Sequence, residues 1–162
     1  MPEIRPNYMI NSSTMAILPV RNINYDTIIY ERDRTLFIRK TPLQLIKQAC
    51  LQYGASYDGR RAAVMHLLGS KKKVPIPISV SSGIYAFPTQ SPNQFDCTWI
   101  FYSHVSRIRV IRPLPNSNYQ ASIVFQTDQL LDMKESYYLL EKQMHRTATC
   151  IYHFSSAVKN GV

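Results

Sequence analysis

Acidic residues are scarce in the middle of this chain. Between Arg34 and Arg112 only Asp58 and Asp96 stand against twelve lysines and arginines, whereas the remainder carries seven bases and eight acids. The formal net charge of +9 is therefore concentrated in one stretch, which is unlike an evenly solvated surface and resembles a footprint for a polyanion, nucleic acid first. A basic face with no partner is the alternative. Long apolar runs are missing too. Nothing approaches the roughly 20 residues of a membrane span. The opening MPEIRPNYMINSS has an acid at Glu3 and no apolar core of a signal peptide, so a cytoplasmic location and no membrane partner are expected.

Cysteine is sparse: Cys50, Cys97 and Cys150 are odd in number and far apart, which argues against a secreted disulfide framework and for reduced, buried thiols. His145, Cys150 and His153 fall in one predicted helix, but structural zinc takes four ligands, usually in paired short spacings. No metal or cofactor is expected. The Walker-type loop and the G-x-G-x-x-G pattern are absent, the ten acids form no local acid/base pair, and nothing marks a nucleophile. The chain reads as a non-enzyme.

What is present is ordinary globular chemistry: 45% hydrophobic and 18% charged residues in 162, enough for one core and too apolar for disorder. TMAILPV (14–20), YDTIIYE (25–31) and TLFIR (35–39) have the β-branched and aromatic content of hairpin-linked strands. From Pro42 the period changes, with Leu43, Ile46, Cys50 and Tyr53 at three- and four-residue spacing. Thr41 suits the N-cap, Pro42 the first helical position and Gly54 the left-handed stop. PIPISV, GIYAFPT, CTWIFY, VSRIRVIR and YQASIVFQ read as further strands, with prolines at strand ends or on edges. SYYLLEKQMHRTATCIYHF reads as a second helix. With no repeat or linker, the expectation is one α+β domain over 1–162, a mainly antiparallel sheet with two principal helices at about 42–53 and 136–153.

RRAAVMHLLG (60–69) is ambiguous between helix and strand. As a helix it would complete a helix-turn-helix with Arg60 and Arg61 at the entry, although AAVMHLLG offers only His66 as a further polar side chain. The candidate DNA-binding residues form three groups: Arg60 and Arg61, the loop lysines Lys71, Lys72 and Lys73, and Arg107 and Arg109 of RIRVIR. In a strand the last two share one face, with Ile108 and Val110 on the other. Lysine acts on phosphates as a point charge, while the guanidinium fork also fits the narrow minor groove of A·T-rich DNA. Tyr57, Tyr85, Phe87, Trp99, Phe101 and Tyr102 would instead stack on unpaired bases if the ligand were RNA or a single strand. A protein-interaction module without DNA binding is the other rival.

Particular residues also look familiar. Pro42-Leu-Gln44, then Cys50, then Gly54-Ala-Ser-Tyr-Asp-Gly-Arg-Arg61 resemble the PLQ…C…G-S-S-Y-x-G-R-K signature of the ComK family, competence transcription factors of Gram-positive bacteria. Lys73-Val-Pro-Ile76, Ile84–Thr89 with Ser91, Cys97-Thr-Trp-Ile100, His104-Val105, Ser136, Gln143 and Arg146-Thr-Ala148 are similar to further family blocks. The resemblance covers most of 14–154. It implies an activator of DNA-uptake genes that binds paired A·T-rich boxes, largely through the minor groove, as a homo-dimer or higher oligomer. It also implies RNA polymerase and an adaptor to the Clp protease as partners. Some relatives carry a longer C-terminal tail than this sequence, which puts any tail function, adaptor recognition included, in question here.

Overall fold

A computed structural model describes residues 3–159; the ends of the expected domain, 1–2 and 160–162, lie outside the described residues. Two sheets and three helices make up the fold among those residues. The N-terminal meander is as expected: β2 (Thr14–Pro19), β3 (Thr27–Glu31) and β4 (Thr35–Ile38) pair antiparallel in chain order. Preceding them is β1 (Ile4–Arg5), a two-residue strand parallel to β4 that is too short for any sequence period to reveal.

The helix α1 (Pro42–Gln52) has the ends its sequence marks. Thr41 accepts from the Gln44 backbone and Gln44 answers to the Thr41 backbone, a reciprocal box. Gly54 follows at φ +87, a region costly for any residue with a Cβ. The ambiguous segment is helical: α2 (Tyr57–Leu68) starts on Ser56, whose Oγ accepts from Gly59 N at 3.0 Å, and stops at Gly69 with φ +65. The period hides because Ala62 and Ala63, apolar in composition, stand on the exposed face and only Tyr57 and Val64 are buried.

Strands β5 (Ile76–Ser79), β6 (Ile84–Pro88) and β7 (Trp99–Phe101) complete the large sheet, ordered β1-β4-β3-β2-β7-β6-β5. Its prolines obey the ladder rule: Pro77 lies on the edge strand, and Pro19 and Pro88 end theirs. A short 3-10 turn leads into β8 (Val105–Val110), which with β9 (Ala121–Phe125) and β10 (Leu130–Met133) forms a second antiparallel sheet. β10 escaped the sequence reading because LLDM buries only Met133 fully and shows no clean alternation.

Side chains of the large sheet alternate between two cores. Trp99 and Phe101 face α1 and α2, while Ile100, Phe87 and Met15 face the small sheet. The last helix, α3 (Tyr137–Lys159), joins both: Leu140 near its start belongs to the small-sheet core and Cys150 to the helical one. It packs on β5 and β6, at the end of the large sheet where β5 is the edge strand. It runs past the expected end at 153 because SSAVK contains no breaker. Among the described residues no helix is long and apolar enough to cross a membrane.

One polar knot fastens the N-terminal strap to this frame. The buried carboxylate of Glu31 accepts from Tyr8, from Asn11 and, at 2.6 Å, from Arg34. Burial pushes the Glu31 pKa up, but the donors led by Arg34 more than offset it, and the net shift is down. A depressed carboxylate stabilises the fold above its unfolded value near 4.5, and that contribution disappears as pH falls through the folded value. Denaturant midpoints should therefore drop below pH of about 4.5. Glu31→Gln should flatten that acid limb and lose about 1–3 kcal/mol near neutrality; an unchanged acid limb would assign the pH dependence elsewhere.

Candidate nucleic-acid interface

The loop of residues 70–73, between α2 and β5, turns its carbonyls inward. Arg61 Nη2 donates to the Lys71 carbonyl at 3.1 Å, and Arg146 Nη2 to the Lys72 carbonyl at 3.0 Å and Ser70 Oγ at 3.1 Å. The Lys73 carbonyl takes two bonds from α3, from Gln143 Nε2 at 2.8 Å and Arg146 Nη1 at 3.1 Å. Lys73 itself sits at φ +52, where a side chain costs about 1–2 kcal/mol. The two donors on its carbonyl offset that cost. With three successive carbonyls occupied from within, Lys71 and Lys72 stand exposed and Lys73 half-exposed.

The loop borders a basin of about 530 Å³ whose cations come from three elements: Lys47 of α1, Arg61 of α2, and Lys71, Lys72 and Lys73. Asp58 is the single acid in its lining. Among the described residues the only Lys or Arg in ion pairs are Arg5 with Glu3 and Arg34 with Glu31, so all five basin cations lack a carboxylate partner. The floor includes Tyr57, with Lys47 Nζ 5.6 Å from its ring centroid, inside cation–π range. Burial pushes the Tyr57 hydroxyl up to about 12, with Arg61 opposing. The basin thus offers a concave, positively charged surface with a neutral phenol beneath.

The remaining predicted residues lie elsewhere. Arg60 is absent from the basin lining, because one step along a helix turns a side chain by about 100°. Its Nε is buried without a partner. Burial pushes the Cys50 thiol up to about 11, and Arg60 is the charge that opposes it; burial likewise raises the Tyr85 hydroxyl, with Arg60 again opposing. Arg107 and Arg109 are exposed on β8 with Ile108 buried between them, as alternation predicts, but in the small-sheet layer and outside the basin. Val110, expected to face inward with Ile108, is 67% exposed, although its register partner Ala121 belongs to the small-sheet core.

Three further expectations meet the geometry. Helices α1 and α2 do form a helix–turn–helix pair, yet the exposed face of α2 presents Asp58, Gly59, Ala62, Ala63 and His66, with no long polar side chain to reach base edges. Of the six aromatics weighed for stacking, Tyr57, Tyr85, Phe87, Trp99 and Phe101 are buried and Tyr102 is half-buried, so these six form no open stacking platform. All three cysteines are free and buried, whereas His145 and His153 are exposed.

Sequence reasoning missed Lys47, Gln143 and Arg146 as site residues. Lys47 carried a signal, since it falls off the apolar stripe of α1. Gln143 and Arg146 lay within the family-like blocks, but nothing local pairs them with a loop 70 residues earlier.

A family model described as ComK protein matches residues 5–159. The Competence transcription factor of Bacillus subtilis (strain 168) is 27% identical over 157 residues, covering 96% of this chain and 79% of that protein. No solved structure matches the chain. The family match takes in the basin, the lysine loop and the helix that clamps it, and the chain belongs to the ComK family.

Proposed function

We propose that this protein is a DNA-binding transcriptional activator of competence genes whose basin seats the phosphate backbone of an A·T-rich duplex. The observation that carries the reading is the convergence of Lys47, Arg61, Lys71, Lys72 and Lys73 on one basin with Asp58 as its sole acid. Resemblance over 96% of the chain to a protein named as a competence transcription factor supports it independently. Phosphate contacts fix register and orientation, which suits lysines on a clamped loop. Arg61 is engaged with the Lys71 carbonyl and shapes the basin. Of the four candidate arginines, Arg107 and Arg109 are the exposed ones; they stand on β8, an edge strand of its sheet, and are the groups assigned to the minor groove. That assignment replaces the expected role of Arg60 and Arg61. Paired boxes would be occupied by two or more copies of the chain, since half-site symmetry mirrors protein symmetry.

Duplex binding measured across salt concentrations tests the division of roles. Lys72→Ala should weaken A·T-rich and G·C-rich duplexes alike and lower the salt slope by about one. Arg107→Ala and Arg109→Ala should cost about 1–3 kcal/mol on A·T-rich duplex and less on G·C-rich; equal losses on both would refute the minor-groove role. A minor-groove ligand added beforehand should protect the A·T-rich site.

Arg146→Met keeps every basin cation and removes the clamp. It should lower stability by about 1.5–3 kcal/mol and weaken duplex binding by roughly tenfold, because a freed loop must be ordered on binding. Lower stability with unchanged affinity would limit the clamp to a folding role.

A further inference from the structure

The basin does not end at its cations. Leu43, Pro92 and Asn93 line both it and a second cavity of about 390 Å³, so the two adjoin. The second cavity differs in chemistry: its walls include Pro42, Phe95 and Trp99, and its lining has no lysine or arginine and a single acid, Asp26. Phe95 remains 45% exposed even with the Arg21 guanidinium stacked 3.9 Å from its ring centroid. The indole N–H of Trp99 is buried and has no hydrogen-bond partner. Asn93 and Gln94, both exposed, place amide donors and acceptors at the rim. Each cavity falls in the range of small-molecule sites, about 300–1,000 Å³.

A duplex uses only half of this arrangement. Its bases are stacked inside and its charges are spread along the strand, one per phosphate, so a backbone seated on the lysines leaves the apolar notch without an occupant. A free nucleotide has the matching polarity, with several negative charges concentrated at one end and a flat ring with polar edges at the other. We propose that basin and notch together bind a nucleoside polyphosphate: its phosphates lie among Lys47, Arg61 and Lys71–Lys73, and its base lies against Phe95 with Asn93 and Gln94 at the polar edge. The inference rests on reading the basin as a phosphate-binding surface, and it makes nucleotide and duplex competitors for the same cations. Nucleotide level would then regulate occupancy of DNA.

The test is calorimetric titration of the full chain with ATP, inorganic tripolyphosphate and adenosine at about 0.15 M salt, where weak surface charge effects are screened, and separately with duplex. ATP should bind more tightly than tripolyphosphate, adenosine weakly, and ATP should displace duplex. Phe95→Ala should weaken ATP about tenfold, the scale of one lost base–aromatic contact, and leave tripolyphosphate and duplex unchanged. Lys72→Ala should weaken all three anions. Both side chains are exposed, and Asn93→Ala serves as a second notch variant should Phe95→Ala disturb the fold. Equal affinity for ATP and tripolyphosphate, with Phe95→Ala and Asn93→Ala silent, would overturn the nucleotide site. So would duplex binding without ATP binding, which leaves the DNA reading intact. ATP binding without duplex binding would uphold this site and sink the DNA reading.

Discussion

The structure depends on a guanidinium turned onto the protein's own backbone. Arg146 spreads its donors over Ser70, Lys72 and Lys73 while Gln143 accepts one of its N–H groups and donates to the same Lys73 carbonyl. Burial lowers the Arg146 pKa from its ordinary value, with Cys150 opposing, but arginine starts so high that the fork stays charged. A charged, half-buried fork among carbonyls is an anchor of one geometry. Lysine could not replace it, because a single ammonium cannot address acceptors on both sides of a turn from one fixed plane.

The anchor holds only if α3 is itself fixed, and the two cores do that. Leu140 is locked against the small sheet and Cys150 against the helical layer, so the turn carrying Gln143 and Arg146 is pinned on both sides. Gln143 also donates to the Pro88 carbonyl at 2.7 Å, which ties the clamp to the end of β6. Basin geometry is thus set by long-range packing rather than by the loop. A glycine at position 73 would accept φ +52 without strain, yet the chain keeps a lysine there and α3 compensates.

This division explains what the sequence made legible. Local rules located α1 with both ends, because Thr41, Pro42 and Gly54 each act within a few residues of the helix they delimit. They located most strands for the same reason, and the charge count picked out the lysine loop. They failed where identity and environment disagree: Ala62 and Ala63 are apolar yet exposed, so α2 lost its period, and β1 exists only because Ile4 and Arg5 lie beside Phe37 and Ile38. They also treated Arg60 and Arg61 as one group, although neighbouring helical positions face different directions. Arg146 was visible only as part of a familiar block, since its role is a contact between residues far apart in the chain.

The same geometry bears on why the loop is built so firmly. Five cations around a basin with one carboxylate repel one another, and a flexible loop would let them separate into solvent. Clamping the carbonyls of residues 71–73 prevents that relaxation, so the repulsion persists in the free protein as a standing field. A polyanion entering the basin would relieve it and meet a loop backbone already in place, leaving mainly the lysine side chains to be ordered. Arg107 and Arg109 stand under no such clamp: both side chains are exposed, and in the proposed minor-groove role they would adjust to a groove whose width varies with sequence. On the proposed reading, a clamped lysine loop answers a backbone of constant charge, and exposed arginines on an edge strand answer a groove of variable shape.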